Sequence, residues 1–199
     1  MKRIFSIAVL ALCLSAVSAF AAVRTEDFSC RGVVLGERLE GHEKLMGRRL
    51  FDNDRSVFGQ RIKYITYRNG YVVGVDKDDI VVDIVVTDHD YTARDGVRYG
   101  ATLSKIHRVF GDCPREVIEG QTWHIFANPD RPEQRLMLEI DTDTRSLYSW
   151  RITSLPLTFE EAEQREKHDD EWQSNELNAI IMNQRQASAR PMIKWGYKK

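Results

Sequence analysis

Apolar and polar positions fall into two similar series, each opening on a glycine-punctuated turn and closing in short runs of β-branched and aromatic residues. In the first series, Glu37 to Met46 carries Leu39, Leu45 and Met46 ahead of Gly47, which predicts a short helix stopped by glycine. Arg48 to Gly59 is polar and reads as turn. Three strands are predicted next, over Arg61 to Arg68, Tyr71 to Val75 and Ile80 to Thr87. Asn69-Gly70 supplies a tight hairpin turn between the first two, and Asp76 to Asp79 separates the second from the third. In the second series Thr102 is placed to cap a helix over Leu103 to Phe110, where Leu103, Ile106, Val109 and Phe110 keep the helical period. Its strands are predicted at Thr122 to Ala127, Arg135 to Ile140 and Ser146 to Thr153, with the proline-bearing Asn128 to Glu133 as a hairpin loop.

The two series superimpose. One shift lays Gly32, Val33, Gly36, Leu45, Met46 and Gly47 on Gly96, Val97, Gly100, Val109, Phe110 and Gly111. A slightly longer shift lays Val82, Ile84, Val86 and Thr87 on Tyr148, Trp150, Ile152 and Thr153, and the drift is what surface loops tolerate. The reading is an α+β chain of two tandem repeats, each a short helix followed by a three-stranded antiparallel meander, sharing one sheet. The predicted domains are repeat 1 at 22–91 and repeat 2 at 92–156.

The ends differ in character. Lys2 and Arg3 precede the apolar run Ile4 to Val17, and Ala19-Phe20-Ala21 closes it, which is the pattern of a secretory signal peptide over 1–21. Leu12, not a small residue, stands before Cys13, so the lipidation pattern is not met. No later stretch reaches the roughly 18 consecutive apolar residues of a membrane span. After Leu155-Pro156, Thr158-Phe159-Glu160-Glu161 reads as a capping box opening a helix over 157–187, with Trp172, Leu177, Ile180 and Ile181 as its docking residues. Its first half is acidic, and the tail at 188–199 is basic, with Trp195 as a possible anchor.

Composition narrows the function classes. Without Lys2 and Arg3, the 29 basic residues of the whole chain fall slightly further below its 30 acidic ones, so no basic footprint for nucleic acid is present. Export makes a disulfide between Cys30 and Cys113 possible; it would tie the first series to the second and contribute on the order of 4 kcal/mol in the chain-entropy model. The alternative is two reduced thiols far apart. The histidines His42, His89, His107, His124 and His168 show no recognised ligand spacing, so no metal, cofactor or catalytic residue is assigned. Asp88-His89-Asp90 reads as turn chemistry. Asp52-Asn53-Asp54 opens like a calcium loop but has Val57 and Lys63 where that loop needs glycine and glutamate.

Val97-Arg98-Tyr99-Gly100-Ala101-Thr102, followed by Ile106, Val109, Phe110-Gly111, Pro114, Trp123, Phe126 and Leu136 to Ile140, resembles the SmpA/OmlA class of small envelope proteins. The resemblance implies a short helical pair on a three-stranded meander, and two such units in tandem are similar to the β-lactamase-inhibitor-protein fold. Because the informative residues form a duplicated sheet and no recognisable reactive constellation, the leading reading is an exported, non-enzymatic protein-binding module of the cell envelope, periplasmic or secreted. The alternatives are an enzyme inhibitor or immunity-type protein and an unrecognised hydrolase. The hydrolase would need a concave pocket with a buried acid beside His107 or His124. Strand alternation predicts that Val73, Val75, Val82, Ile84, Val86, Leu138, Ile140, Tyr148, Trp150 and Ile152 face the helices. The opposite set, Val72, Val81, Asp83, Val85, Met137, Glu139, Ser149 and Arg151, is then the expected protein-binding face, the alternative being that the C-terminal helix packs there. On that expectation, reversing the charge of Arg151 together with Val85→Asp costs little stability.

Overall fold

The computed structural model describes residues 22–118, 120–168, 170–172 and 176. The predicted signal peptide, the predicted helical stretch with Leu177, Ile180 and Ile181, and the basic tail with Trp195 lie outside them. The chain divides into two compact units at Leu155/Pro156.

The first unit is α+β and is dominated by one antiparallel sheet of eight strands. Two short strands, β1 (Ser29–Cys30) and β2 (Val33–Val34), form a small separate hairpin. The large sheet consists of β3 (Arg49–Val57), β4 (Gln60–Tyr67), β5 (Tyr71–Val75), β6 (Val81–Val86), β7 (Arg115–Ile118), β8 (Gln121–Ala127), β9 (Arg135–Ile140) and β10 (Leu147–Thr153). Its spatial order is β3-β4-β5-β6-β10-β9-β8-β7, so β6 and β10 meet in the middle. The six strands expected from alternation are present, and Asn69-Gly70 makes the β4–β5 turn. Gly70 sits there at φ +80°, where a Cβ would approach Asp88 N to 2.8 Å, so glycine is required for both backbone and space.

Three sequence expectations are corrected. The polar stretch Arg48 to Gly59 is mostly strand: β3 pairs with β4 from Arg49 to Val57, its side chains exposed and its backbone bonds made on one side. Polarity there marks an outermost strand, since alternation is visible only where one face is buried. Arg115 to Ile118 likewise forms an edge strand, so each half of the sheet has four strands. The helix expected over Glu37 to Met46 is a single 3₁₀ turn at Glu43–Leu45. Gly41 at φ +87° interrupts that segment, and Leu45 is 64 % exposed, leaving too little apolar stripe to dock a longer helix.

The helix of the second series forms as expected. In α1 (Leu103–Phe110) the Thr102 side chain accepts a hydrogen bond from Lys105 N, and Gly111 at φ 89° ends the helix. Its buried residues Ile106, Val109 and Phe110 pack on the inner face of the sheet with Phe126, Leu138, Trp150 and Ile152. Phe110 lies 5.6 Å from Phe126 and 6.0 Å from Trp150 between ring centroids, the spacing of favourable aromatic pairs.

In the second unit α2 covers residues 159–168 and 170–172. The predicted cap is present: Glu161 N donates to Thr158 Oγ1 at 3.2 Å, and the Glu161 carboxylate accepts from Leu157 N at 3.0 Å. Arg165 and Lys167 pair one turn back with Glu161 and Glu163. Among the described residues no helix is long and apolar enough to cross a membrane.

Candidate functional site

The expected binding face is only partly assembled. Val73, Val75, Ile84, Val86, Leu138, Ile140, Trp150 and Ile152 lie in the core, as alternation requires. Two bulges shift the rest. β5 pairs Gly74 with Asp83 but Val75 with Val81, so Val82 is the extra residue, and Val81 turns into the core at 0 % exposure. β9 pairs Ile140 with Leu147 but Glu139 with Ser149, so Leu147 is buried and Tyr148 is 63 % exposed. Val81 is therefore removed from the proposed face, and Val82 and Tyr148 from the expected core.

Val72, Val85, Glu139, Ser149 and Arg151 are half-buried, whereas Asp83 and Met137 are buried. Asp83 is held by Arg151 through two hydrogen bonds, Nε to Oδ1 at 2.8 Å and Nη2 to Oδ2 at 2.9 Å, and accepts a third from the Tyr64 hydroxyl at 3.1 Å. Burial, and then the Asp83 charge, push the Tyr64 hydroxyl well above its ordinary range, so it stays a donor. Gly74 makes room: a Cβ there would meet the Tyr64 ring at 2.9 Å and Asp83 Cβ at 3.1 Å. This bidentate pair bridges β6 and β10, the two central strands, and is a clamp between the halves of the sheet. Arg151 is thus a partner of a buried charge, contrary to the expectation that its reversal costs little.

Cys30 and Cys113 are free. Cys30, in β1, is buried; burial pushes its thiol up to about 12 although Tyr91 engages it. Cys113 stands beyond the end of α1 with its Sγ 3.7 Å from His124 Nδ1. Each thiol has its own neighbour, and the expected Cys30–Cys113 bridge is not made.

Cys113 belongs to a cluster that spacing along the chain does not reveal. His107 lies on the last turn of α1, Cys113 follows Gly111, and His124 points inward from β8 on the same side as Phe126. One donor atom from each of the three lies within 4.8 Å of the other two. The His107 and His124 rings are 5.7 Å apart. His107 Nδ1 faces the exposed Asp112 carboxylate at 3.2 Å, while its Nε2 is buried without a hydrogen-bond partner. Burial, followed by the charges of His107 and Arg115, holds the His124 imidazole below its ordinary value, so it is neutral at pH 7. Burial raises the Cys113 thiol to about 11. His124 also lines a cleft of about 590 Å³ with Thr102, Ser104, Thr122, Asp141 and Arg145.

The cleft does not supply a buried acid to either imidazole. Asp141 spends its Oδ1 on the backbone N–H groups of Asp143 and Thr144 and on the Thr144 hydroxyl, a turn motif, and Asp112 is solvent-exposed. Asp88-His89-Asp90 is also turn chemistry: Asp88 accepts from Asp90 N, and His89 stacks on Tyr99 with centroids 4.5 Å apart. Asp52 and Asp54, on β3, are paired with Arg49 and Arg61 at 2.6 Å.

No family model matches the chain, and no curated protein does. A solved cysteine-rich secretory protein from Staphylococcus aureus is similar at 11 % identity with a TM-score of 0.39, the match covering 60 % of this chain and 44 % of that one, a likeness too slight to place the chain in a family.

Proposed function

We propose that the chain is an exported, non-enzymatic protein-binding module of the cell envelope, built from a duplicated unit. The observation that carries the binding reading is β3. It is nine residues long, outermost in the sheet and exposed from Arg49 to Ser56, with Leu50 and Phe51 52 % and 59 % exposed. Its pairing among the described residues is with β4 alone. Such an edge offers a row of backbone donors and acceptors to an extended segment of another protein, with apolar side chains for specificity. The acidic Asp52 and Asp54 with their arginine partners guard it against indiscriminate pairing.

The duplication is supported by strand order. The strands β3 to β6 and β7 to β10 each run in chain order from an edge to the centre, where β6 and β10 pair antiparallel, the arrangement that a two-fold between the halves would give.

A photo-crosslinking side chain placed at Phe51 is the test. One discrete adduct in the native envelope, not formed from the equally exposed Val117 on the opposite edge, is expected. Leu50→Lys, at a 52 % exposed side chain and with the crosslinker kept at position 51, should abolish it while changing stability by less than about 0.5 kcal/mol. Adducts at Val117 but none at Phe51 would overturn the edge-strand reading.

A further inference from the structure

We propose that His107, Cys113 and His124 form a binding site for a borderline transition-metal cation of the zinc class. The site is independent of the edge-strand reading. Three elements deliver the donors: the last turn of α1, the segment after Gly111, and the inward face of β8. Each is fixed by packing, since Ile106, Val109 and Phe110 anchor α1 and Phe126 anchors β8 beside His124.

The spacing suits one ion. With sulfur bonded at about 2.3 Å and nitrogen at about 2.0 to 2.1 Å, two ligands of a tetrahedral zinc lie about 3.5 Å apart. The Cys113 Sγ to His124 Nδ1 distance is 3.7 Å, and the widest separation within the triad stays inside 4.8 Å. A rotamer adjustment at His107 of about one ångström closes the set.

Two further observations point to a ligand. His107 Nε2 is buried with no partner, a state that costs free energy and that a metal would relieve. The other nitrogen of the same ring, Nδ1, faces the Asp112 carboxylate at 3.2 Å, the outer contact that orients a metal-binding imidazole. A fourth position would open towards the cleft that His124 lines, free for water or a small molecule. Two imidazoles and a thiolate favour zinc, cobalt or copper over calcium or magnesium, which require oxygen. Binding is a ligand exchange without redox change: the Cys113 S–H bond breaks, its proton leaves to solvent, and the sulfur lone pair forms the metal bond. Arg115, paired with His124 across the β7–β8 ladder, repels the cation and sets a limit on affinity.

The test uses the full-length chain without a histidine tag, titrated with Co²⁺ and then displaced by Zn²⁺. One equivalent of cobalt should give a thiolate charge-transfer absorption in the near ultraviolet that zinc abolishes. Cys113→Ser should remove the band, and His107→Ala and His124→Ala should each weaken binding at least about tenfold. Asp112→Asn, at a 96 % exposed side chain where unfolding is not expected, should weaken it about tenfold through the outer contact. Arg115→Gln should tighten it. The proposal is overturned by absence of a band in the wild type, by a band that survives Cys113→Ser, by wild-type affinity in Asp112→Asn, or by a response to copper alone.

Discussion

Two polar clusters sit on opposite faces of the same sheet and are finished in opposite ways. On one face Asp83 is buried but closed: Arg151 and Tyr64 supply three hydrogen bonds to its two oxygens. On the helix-covered face His107, Cys113 and His124 converge, yet one imidazole nitrogen has no partner and the contact of the Cys113 thiol with the His124 imidazole, at 3.7 Å, is weak. A satisfied ion pair has nothing left to offer a ligand and holds the two central strands together. An unsatisfied set of good donors is poised for something from outside. Burial of polar groups alone does not separate structure from function; the state of their hydrogen bonds does.

The largest effect expected from this comparison is at the clamp. Arg151→Ala leaves Asp83 buried and unpaired, and should lower unfolding free energy by about 3 kcal/mol or more, read by denaturant titration. Replacing Asp83 and Arg151 together with apolar residues should recover most of that loss. If the single variant costs no more than a surface substitution, the clamp is not structural.

Tyr64→Phe tests the third bond to Asp83. It removes a donor while leaving the arginine pair, so a loss near 1 kcal/mol is expected in the same titration. Cys113→Ser in chelator-treated protein provides the contrast across the sheet. It alters a group with little hydrogen bonding to lose, and should change stability by less than about 1 kcal/mol. A loss as large as that of Arg151→Ala would make the cluster structural in the same sense as the clamp.

The smallest effect concerns pH and lies away from both clusters. At Asp88 burial opposes ionisation, but the Tyr71 hydroxyl, the Asp90 N–H and Arg31 outweigh it and hold the carboxyl below its ordinary value. Its folded pKa is below its unfolded one, near 3.9, so its contribution is complete above that pH and is lost as pH falls through the folded value. Asp88→Asn should therefore flatten the acid limb of a stability profile below about pH 4 and leave the neutral region nearly parallel to wild type. An unchanged acid limb would remove Asp88 from the account.

Much of the fold was legible along the chain. Asn69-Gly70 and Thr102 with Gly111 mark a hairpin and a helix by local backbone chemistry, and alternation located six strands because one of their faces is buried. The same reasoning missed β3 and β7. Edge strands expose both faces, so their residues carry no alternation to read. It also overextended the first helix, because apolar residues at Leu39, Leu45 and Met46 do not outweigh a glycine at positive φ between them.

The candidate site was far less legible. The face containing Asp83 and Arg151 was found, but bulges at Val82 and Tyr148 altered its membership, and the role of Arg151 reversed once its partner was known. His107 and Cys113 flank a helix end, and His124 shares its side of a strand with Phe126; these were the available signals. Neither carries the spacing of a known ligand motif.

What the sequence determined by itself is local: where glycine, threonine and asparagine start and stop elements, and which side of a central strand is apolar. The tertiary structure decided the rest. Strand order, single-residue bulges and the packing of α1 on β8 set which distant side chains meet, and such meetings depend on long-range closure that no short window of residues encodes.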